Sequence, residues 1–167
     1  MIIRKLIKDD EADLLTLIEK IEATLVNKDF WLPINNVSKE HFLDETWTKF
    51  YGAFENGELI GASALFLNQH EFEESVGQLN GLQLAVDDVA EIGRSMVLPG
   101  FRGKNLLLEI NRYVVAEAKN LGKKYLIATI HPDNMPSRKS FEKLGMKKIT
   151  TYTKSCGYIR DIYGLLL

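Results

Sequence analysis

Residues 90–130 constrain the fold more than any other part of the 167-residue chain. A strand-like segment, Ala90 to Val97, leads into a turn of two glycines and two basic residues, Pro99-Gly100-Phe101-Arg102-Gly103-Lys104. An amphipathic helix pattern follows, and then a nearly unbroken apolar run over Tyr125–Ile130, as in a strand that is buried on both faces. Strand, helix and strand in this order predict an α/β domain.

The segment after the turn has a strongly helical pattern. Its predicted apolar stripe consists of Leu107, Ile110, Val114, Ala118 and Leu121. Gly122 is a natural end for this helix, because glycine readily adopts the left-handed backbone of a helix C-terminus.

Flanking segments continue the alternation of strand and helix patterns. Strands are predicted at residues 2–7, 50–54, 59–67, 147–153 and 158–166. Asn56-Gly57 suits a two-residue hairpin turn between two of them. Short helices are predicted at residues 39–47 and after Asn134, which can cap a helix with Pro136 in its first turn. There is no repeat or linker, and residues 1–167 therefore predict a single domain.

The bulk composition excludes several function classes. A net charge of −2 lacks the basic excess of a nucleic-acid-binding domain. The single cysteine, Cys156, excludes an intramolecular disulfide, and His41 and His70 have no neighbours at metal-ligand spacing, so no metal site is predicted. No secretion signal and no membrane-spanning run are present, which predicts a cytoplasmic protein without a membrane partner. A homodimer is the commonest assembly if the protein oligomerises.

The turn before the long helix has the features of a phosphate site. The first N–H groups of a helix lack internal partners, and its dipole favours negative charge there. Gly103 lets an anion approach the backbone, while Arg102 and Lys104 supply charged donors. The turn therefore predicts a pyrophosphate site, and the alternative is a solvated basic turn.

This segment resembles the phosphate loop of the GCN5-related N-acetyltransferase (GNAT) superfamily. That loop reads Arg/Gln-x-x-Gly-x-Gly/Ala after a strand that ends in Val-x-Pro. The residues that match are Val97, Pro99, Arg102, Gly103 and Lys104. Asn105 and Leu107 stand where the family has glycine or alanine, and asparagine tolerates left-handed backbone better than most residues.

A second resemblance lies downstream. The family often carries Asn-x-x-Ala/Ser followed by x-x-x-Tyr-x-Lys-x-Gly-Phe, and this chain has Asn134, Ser137 and the run Phe141-Glu142-Lys143-Leu144-Gly145-Met146. Phe141 replaces the family tyrosine. The resemblance covers residues 88–150 well and the N-terminal half by element order alone.

The resemblance implies a mixed, mostly antiparallel central sheet flanked by helices. It also implies an acyltransferase that moves an acetyl group from acetyl-CoA to a primary amine by direct attack. The acceptor, a small molecule or a peptide, is not identified. The implied cofactor-binding residues are Met96, Val97, Leu98, Arg102, Gly103, Lys104, Asn105, Leu106, Leu107, Asn134 and Phe141. The Val97 N–H would face the thioester oxygen, and Arg138, Lys139 or Lys143 would contact the outer phosphate.

Glu91 is the candidate catalytic base, because histone-acetyltransferase-like members place a glutamate at a similar point. An alkylamine has a pKa of about 10 and must lose a proton before it attacks. Strand alternation puts Glu91, Gly93, Ser95 and Val97 on one face if no bulge intervenes. The alternative is an edge glutamate that faces water or pairs with a lysine.

Proton donation to the leaving thiolate has no obvious source, because Phe141 cannot donate. Water, Tyr152, Cys156 or Tyr158 could serve, and His131 is either a proton carrier or a structural loop histidine. The missing proton donor favours a second hypothesis, in which the protein is a sensor that binds acyl-CoA without efficient acetyl transfer. A domain that binds another phosphate compound, such as a nucleotide, is the third hypothesis.

Acceptor specificity is expected in three segments: residues 27–38, residues 68–88 and the last hairpin. Aromatic residues Phe30, Trp31, Trp47 and Tyr51 would line an acceptor pocket or pack in the core. The acidic run Glu71, Glu73 and Glu74 would attract a cationic amine or form a solvated loop.

Overall fold

The computed structural model describes residues 1–167, and all of its strands form one sheet. The strands are β1 (Ile2–Lys5), β2 (Thr48–Glu55), β3 (Glu58–Phe66), β4 (Val89–Val97), β5 (Tyr125–Ile130), β6 (Lys147–Thr153) and β7 (Ile159–Leu166). Their order in the sheet is β1-β2-β3-β4-β5-β7-β6. Every neighbouring pair is antiparallel except β4 and β5, so the predicted mixed, mostly antiparallel sheet is confirmed.

Helices cover both faces of the sheet. They are α1 (Glu11–Ala23), α2 (Asn36–Glu40), α3 (Glu73–Gly77), α4 (Leu106–Asn120) and α5 (Met135–Lys143). Leu14 and Leu17 of α1 pack with Phe50 in a cluster on one face. On the other face, Val114 of α4 and Phe141 of α5 pack in a second cluster. None of these helices is both long and apolar enough to cross a lipid bilayer.

Local signals placed the turns correctly. Asn56 and Gly57 have φ angles of 51° and 82° at the β2–β3 turn, as a two-residue hairpin requires. Gly122 follows α4 with φ 74°. The buried stripe of α4 begins at Leu106 rather than at Leu107, and Leu121 is 44% exposed because α4 has ended at Asn120.

The bounds predicted for the second helix were wrong. The sequence pattern predicted residues 39–47, whereas α2 spans Asn36–Glu40. The Asn35 side chain accepts a hydrogen bond from the Ser38 N–H at 2.7 Å, which caps the helix at an earlier start.

Strand β4 leaves its parallel partner halfway along its length. Its pairing with β5 covers only residues 89–91, whereas its pairing with β3 continues to Val97. The two strands therefore separate after Glu91, and a cleft opens between their ends.

A β-bulge in β4 changes which side chains share a face. The register between β3 and β4 shifts between Ala62 and Ala64, and Arg94 has φ 48°. Because of this extra residue, the Val97 side chain packs with Leu106 of α4. Neighbours of Glu91 on β4 pack on the α4 face, so the Glu91 side chain lies on the opposite face. The alternation predicted for an unbulged strand therefore fails at Val97.

Candidate active site

Two cavities meet beside the separated ends of β4 and β5. The first, here called the loop cavity, has a volume of about 560 Å³ and lies between the turn after β4, the end of α1 and the start of α5. The second, here called the Glu91 cavity, has a volume of about 650 Å³. Both are lined by the same five residues where they adjoin: Phe30, Trp31, Ser95, Asn134 and Ser137.

The turn that enters α4 holds left-handed backbone at two positions. Gly103 has φ 77° and Asn105 has φ 59°, so Asn105 supplies the conformation for which the family uses glycine. A Cβ atom added at Gly103 would meet no heavy atom within 4 Å, which shows that the space in front of the turn is open. Arg102 anchors the turn, because its Nε donates a hydrogen bond to the Val97 carbonyl at 3.0 Å.

The charged residues that line the loop cavity are all basic. Three basic residues line it, Arg102, Lys139 and Lys143, and no acidic residue does. Lys143 also donates from Nζ to Asn105 Oδ1 at 3.2 Å, which links α5 to the turn. This donor set and the N-terminus of α4 fit a pyrophosphate group.

Two predicted phosphate ligands lie elsewhere. The side chain of Arg138 does not line the loop cavity. It donates hydrogen bonds to the Tyr163 hydroxyl at 3.1 Å and to the Pro132 carbonyl at 3.0 Å. Lys104 is exposed, and its Nζ lies 6.0 Å from the centre of the Phe101 ring.

The backbone at the end of β4 faces the cleft in part. Met96 and Val97 line the loop cavity, but Leu98 does not, and its N–H donates to the Ile60 carbonyl of β3 at 2.9 Å. Successive N–H groups of a strand point to opposite edges. The Val97 N–H is therefore directed away from β3, toward the side from which β5 has separated.

Helix α5 contributes Asn134 and Phe141. The Asn134 side chain accepts a hydrogen bond from the Ser137 N–H at 3.3 Å and caps α5 at the junction of the cavities. Phe141 is buried, and it lines the Glu91 cavity but not the loop cavity. Thr24, Leu25 and Val26, which follow α1, line the loop cavity. Sequence reasoning missed them, although the fully exposed Val26 is an unusual apolar residue at a helix end.

Glu91 lies in the wall of the second cavity with only 7% of its surface exposed. Its Oε1 accepts a hydrogen bond from Thr129 Oγ1 at 3.0 Å. Burial raises the pKa of Glu91 to about 7, although the charges of Lys154 and Arg94 favour the carboxylate. Glu91 is therefore not an exposed edge glutamate, and it forms no ion pair with a lysine. A pKa near neutrality suits a general base.

The three segments expected to hold acceptor specificity all line the Glu91 cavity. Ser38 donates to Glu71 Oε1 at 2.6 Å, and the Ser155 N–H donates to Glu74 Oε1 at 2.5 Å. The first bond joins α2 to the turn before α3, and the second joins α3 to the turn between β6 and β7, so the three segments surround one space. Glu71 and Glu74 are thus bonded wall residues rather than a solvated loop, whereas Glu73 is exposed.

The predicted aromatic residues divide into two groups. Phe30 and Trp31 line both cavities. Trp47 lines neither cavity and donates from Nε1 to Glu71 Oε1 at 3.1 Å, and Tyr51 donates to Glu117 of α4 at 2.9 Å.

Among the groups considered for proton transfer, His131, Cys156 and Tyr158 line the Glu91 cavity. Nδ1 of His131 accepts a hydrogen bond from the Asp133 N–H at 3.1 Å, so the neutral ring carries its proton on Nε2. Tyr152 is instead bonded to Ser75 at 2.7 Å and to Lys154 at 3.0 Å.

Arg94 is a wall residue that sequence reasoning did not identify. Its guanidinium donates to the Leu32 carbonyl and lies 5.0 Å from the centre of the Trp31 ring. Burial lowers its pKa to about 10. The bulge turns this side chain into the cavity, and the isolated Gly93 just before Arg94 is a sequence signal that could have indicated the bulge.

Comparisons with known proteins agree with this architecture. The profile of the Acetyltransferase (GNAT) family matches residues 17–146. The chain therefore belongs to the GNAT acetyltransferase family, whose members are acyltransferases that use acetyl-CoA. The sequence matches no curated protein at a significant level.

Solved structures with the same fold share little sequence with this chain. An acetyltransferase of the GNAT family from Streptococcus pneumoniae has a TM-score of 0.76 at 14% identity and covers 99% of both chains. An N-acetyltransferase from Staphylococcus aureus Mu50 has a TM-score of 0.73 at 18% identity, over 99% of this chain and 97% of its own. The putative acetyltransferase yncA from Salmonella typhimurium, solved with its cofactor acetyl-CoA, has a TM-score of 0.72 at 16% identity, over 99% and 93%. At these identities the likeness concerns the fold alone.

Proposed function

We propose that this protein transfers the acetyl group of acetyl-CoA to the primary amine of a small molecule or peptide by direct attack. One observation carries the proposal: a cavity lined by basic residues and no acidic ones adjoins a cavity that holds a buried carboxyl group with a pKa of about 7. Acetyl-CoA, when bound, supplies an activated acetyl thioester and an anionic pyrophosphate.

Binding of the donor is assigned to the loop cavity. Arg102 and the backbone of residues 103–107 would hold the pyrophosphate at the N-terminus of α4. Lys139 and Lys143 are the candidates for the outer phosphate, because both line the loop cavity. The backbone of Met96 and Val97 and the Asn134 side chain would lie along the pantetheine arm.

Glu91 is proposed to remove the proton from the acceptor amine, directly or through a water molecule. A base with a pKa near the working pH is deprotonated often enough to act and still binds a proton well. The hydrogen bond from Thr129 and the charges of Lys154 and Arg94 favour the carboxylate that this role requires.

The Val97 N–H is proposed to stabilise the negative charge that develops on the thioester oxygen. A fixed backbone donor needs no reorganisation when the charge appears. The thiolate that leaves has a thiol pKa of about 8.5 and is a tolerable leaving group unaided. His131, Cys156 and Tyr158 are the candidates for its protonation, because all three line the Glu91 cavity.

A sensor that binds acyl-CoA without efficient transfer is the second candidate function. Phe141 favours it, because the family tyrosine that protonates the thiolate is missing. The two functions differ in turnover: an enzyme releases coenzyme A in the presence of a suitable amine, whereas a sensor binds the donor and does not.

The test is release of coenzyme A in the presence of a panel of amines. Glu91→Gln is expected to lower kcat by about 10²–10⁴-fold and to leave the Kd for acetyl-CoA unchanged. The exposed Glu19 on the outer side of α1 provides the matched control, Glu19→Gln, which should behave like the wild type. Equal turnover of the Glu91 variant and this control would rule out Glu91 as the base.

A further inference from the structure

Three basic residues in the wall of the Glu91 cavity are not paired with any acidic side chain. Arg94, Lys154 and Arg160 all line the cavity, and none forms an ion pair with a carboxylate of the protein. A charge that is withdrawn from water without an opposite partner is costly. Three unpaired positive charges in one cavity wall are therefore not explained by their contribution to stability.

The two arginines are held by backbone carbonyl groups. Arg160 is 1% exposed and donates to the Ile159 and Asp29 carbonyls at 2.7 Å each. Arg94 donates to the carbonyls of Leu32 and Pro33. A guanidinium has five N–H donors, so each arginine keeps donors beyond the two that these bonds use.

The two guanidinium groups lie against the same loop of the cavity wall, residues 29–33. Arg94 donates to the carbonyls of Leu32 and Pro33, and Arg160 donates to the carbonyl of Asp29. Burial raises the pKa of Glu91, and the charges of Lys154 and Arg94 oppose that rise. Burial lowers the pKa of Arg94, and the charge of Glu71 opposes that shift. Glu71 forms no ion pair with Arg94, and its Oε1 accepts hydrogen bonds from Ser38 and Trp47.

We propose that the acceptor is an amine that also carries a carboxylate, which Arg94 and Arg160 bind while the amine lies beside Glu91. This inference rests on the proposed acetyl transfer and names its substrate class. A guanidinium binds a carboxylate through two parallel hydrogen bonds. The carbonyl bonds hold both groups in place beforehand, so little further ordering is needed when the substrate binds.

A purely structural role is the alternative. Both arginines bond to residues 29–33, so they also fix the loop that covers the cavity. A structural role would alter the activity toward every amine alike. A substrate role would alter the preference between an amine that carries a carboxylate and the matching amine that carries an amide instead.

The experiment therefore uses matched pairs: glycine with glycinamide, β-alanine with β-alaninamide, and 4-aminobutyrate with its amide. In at least one pair, kcat/KM for the carboxylate is expected to exceed that for the amide by about tenfold or more. In Arg160→Gln and in Arg94→Lys, this ratio should fall toward unity while transfer to the amide persists. Lys119→Gln, an exposed change at the far end of α4, should keep the wild-type ratio.

Calorimetric binding of the same pairs to the wild-type protein loaded with coenzyme A is the second readout, and it requires neither turnover nor a folded variant. Tighter binding of the carboxylate than of the amide in one pair supports the inference. If this binding is seen without any acetyl transfer, the proposed function is wrong and the inference about the ligand stands. Transfer to amines with no preference for a carboxylate in any pair overturns the inference and leaves the proposed function standing. Absence of both transfer and binding overturns both.

Discussion

Removing the charge of Glu91 should make the protein more stable as well as less active. Burial raises the pKa of this carboxyl group from its ordinary value of 4.5 to about 7. At about 1.4 kcal/mol per pKa unit, this shift means that the buried carboxylate lowers the free energy of unfolding by about 3 kcal/mol. Glu91→Gln keeps the shape of the side chain, and its amide oxygen can still accept the bond from Thr129.

The gain in stability should depend on pH in a defined direction. Below the ordinary pKa of 4.5, the carboxyl group is neutral in both the folded and the unfolded protein, so Gln and Glu should be equivalent. As the pH rises to about 7, the unfolded wild type loses its proton first and the folded wild type loses stability relative to the variant. Above about pH 7 the difference should stay constant at its full value.

Urea unfolding followed by tryptophan fluorescence measures this difference at several pH values. Glu91→Gln should unfold at a higher urea concentration than the wild type at about pH 8, with an unchanged m-value, and the difference should shrink toward about pH 5. Glu19→Gln, which removes an exposed carboxylate, should follow the wild type. Equal stability of Glu91→Gln and the wild type at the higher pH would refute the reasoning, because the carboxylate would then not be buried at a cost.

Three further predictions concern single side chains. Thr129→Val removes the hydrogen bond that lowers the pKa of Glu91, so the acid limb of the kcat/KM–pH profile should move up by about one unit; an unmoved limb would contradict this. Asn111→Leu replaces a fully buried amide whose Oδ1 and Nδ2 have no hydrogen-bond partner in the protein, and urea unfolding should show a gain of about 1–3 kcal/mol rather than a loss. Phe141→Tyr restores the family hydroxyl and should raise kcat by about tenfold or more, whereas an unchanged kcat would mean that thiolate protonation does not limit the rate.

Local sequence signals predicted several of the turns and caps of the fold. Asn56-Gly57, Gly122 and the Asn134 cap each act within a few residues of the chain, and each lies where the pattern predicted. The turn into α4 was also predictable, because Asn105 is one of the few residue types that adopt left-handed backbone at low cost.

The wall of the Glu91 cavity could not be predicted in the same way. Its acidic and hydroxyl groups come from distant segments, and only contacts such as Ser38 with Glu71 and Ser155 with Glu74 bring them together. The isolated Gly93 permits a bulge next to Arg94, but the pairing of β3 with β4 decides where the extra residue lies. The burial of Glu91, and hence its pKa, depends on that tertiary arrangement.

Calorimetric titration with acetyl-CoA is the most direct test of the central claim that the loop cavity is the donor site. The wild-type protein should bind the donor with micromolar affinity, and Arg102→Ala should weaken binding by about tenfold or more. Lys119→Ala removes the same charge at the other end of α4 and should bind as the wild type does. No binding at millimolar donor, or equal affinities for the Arg102 and Lys119 variants, would contradict the assignment of this cavity to acetyl-CoA.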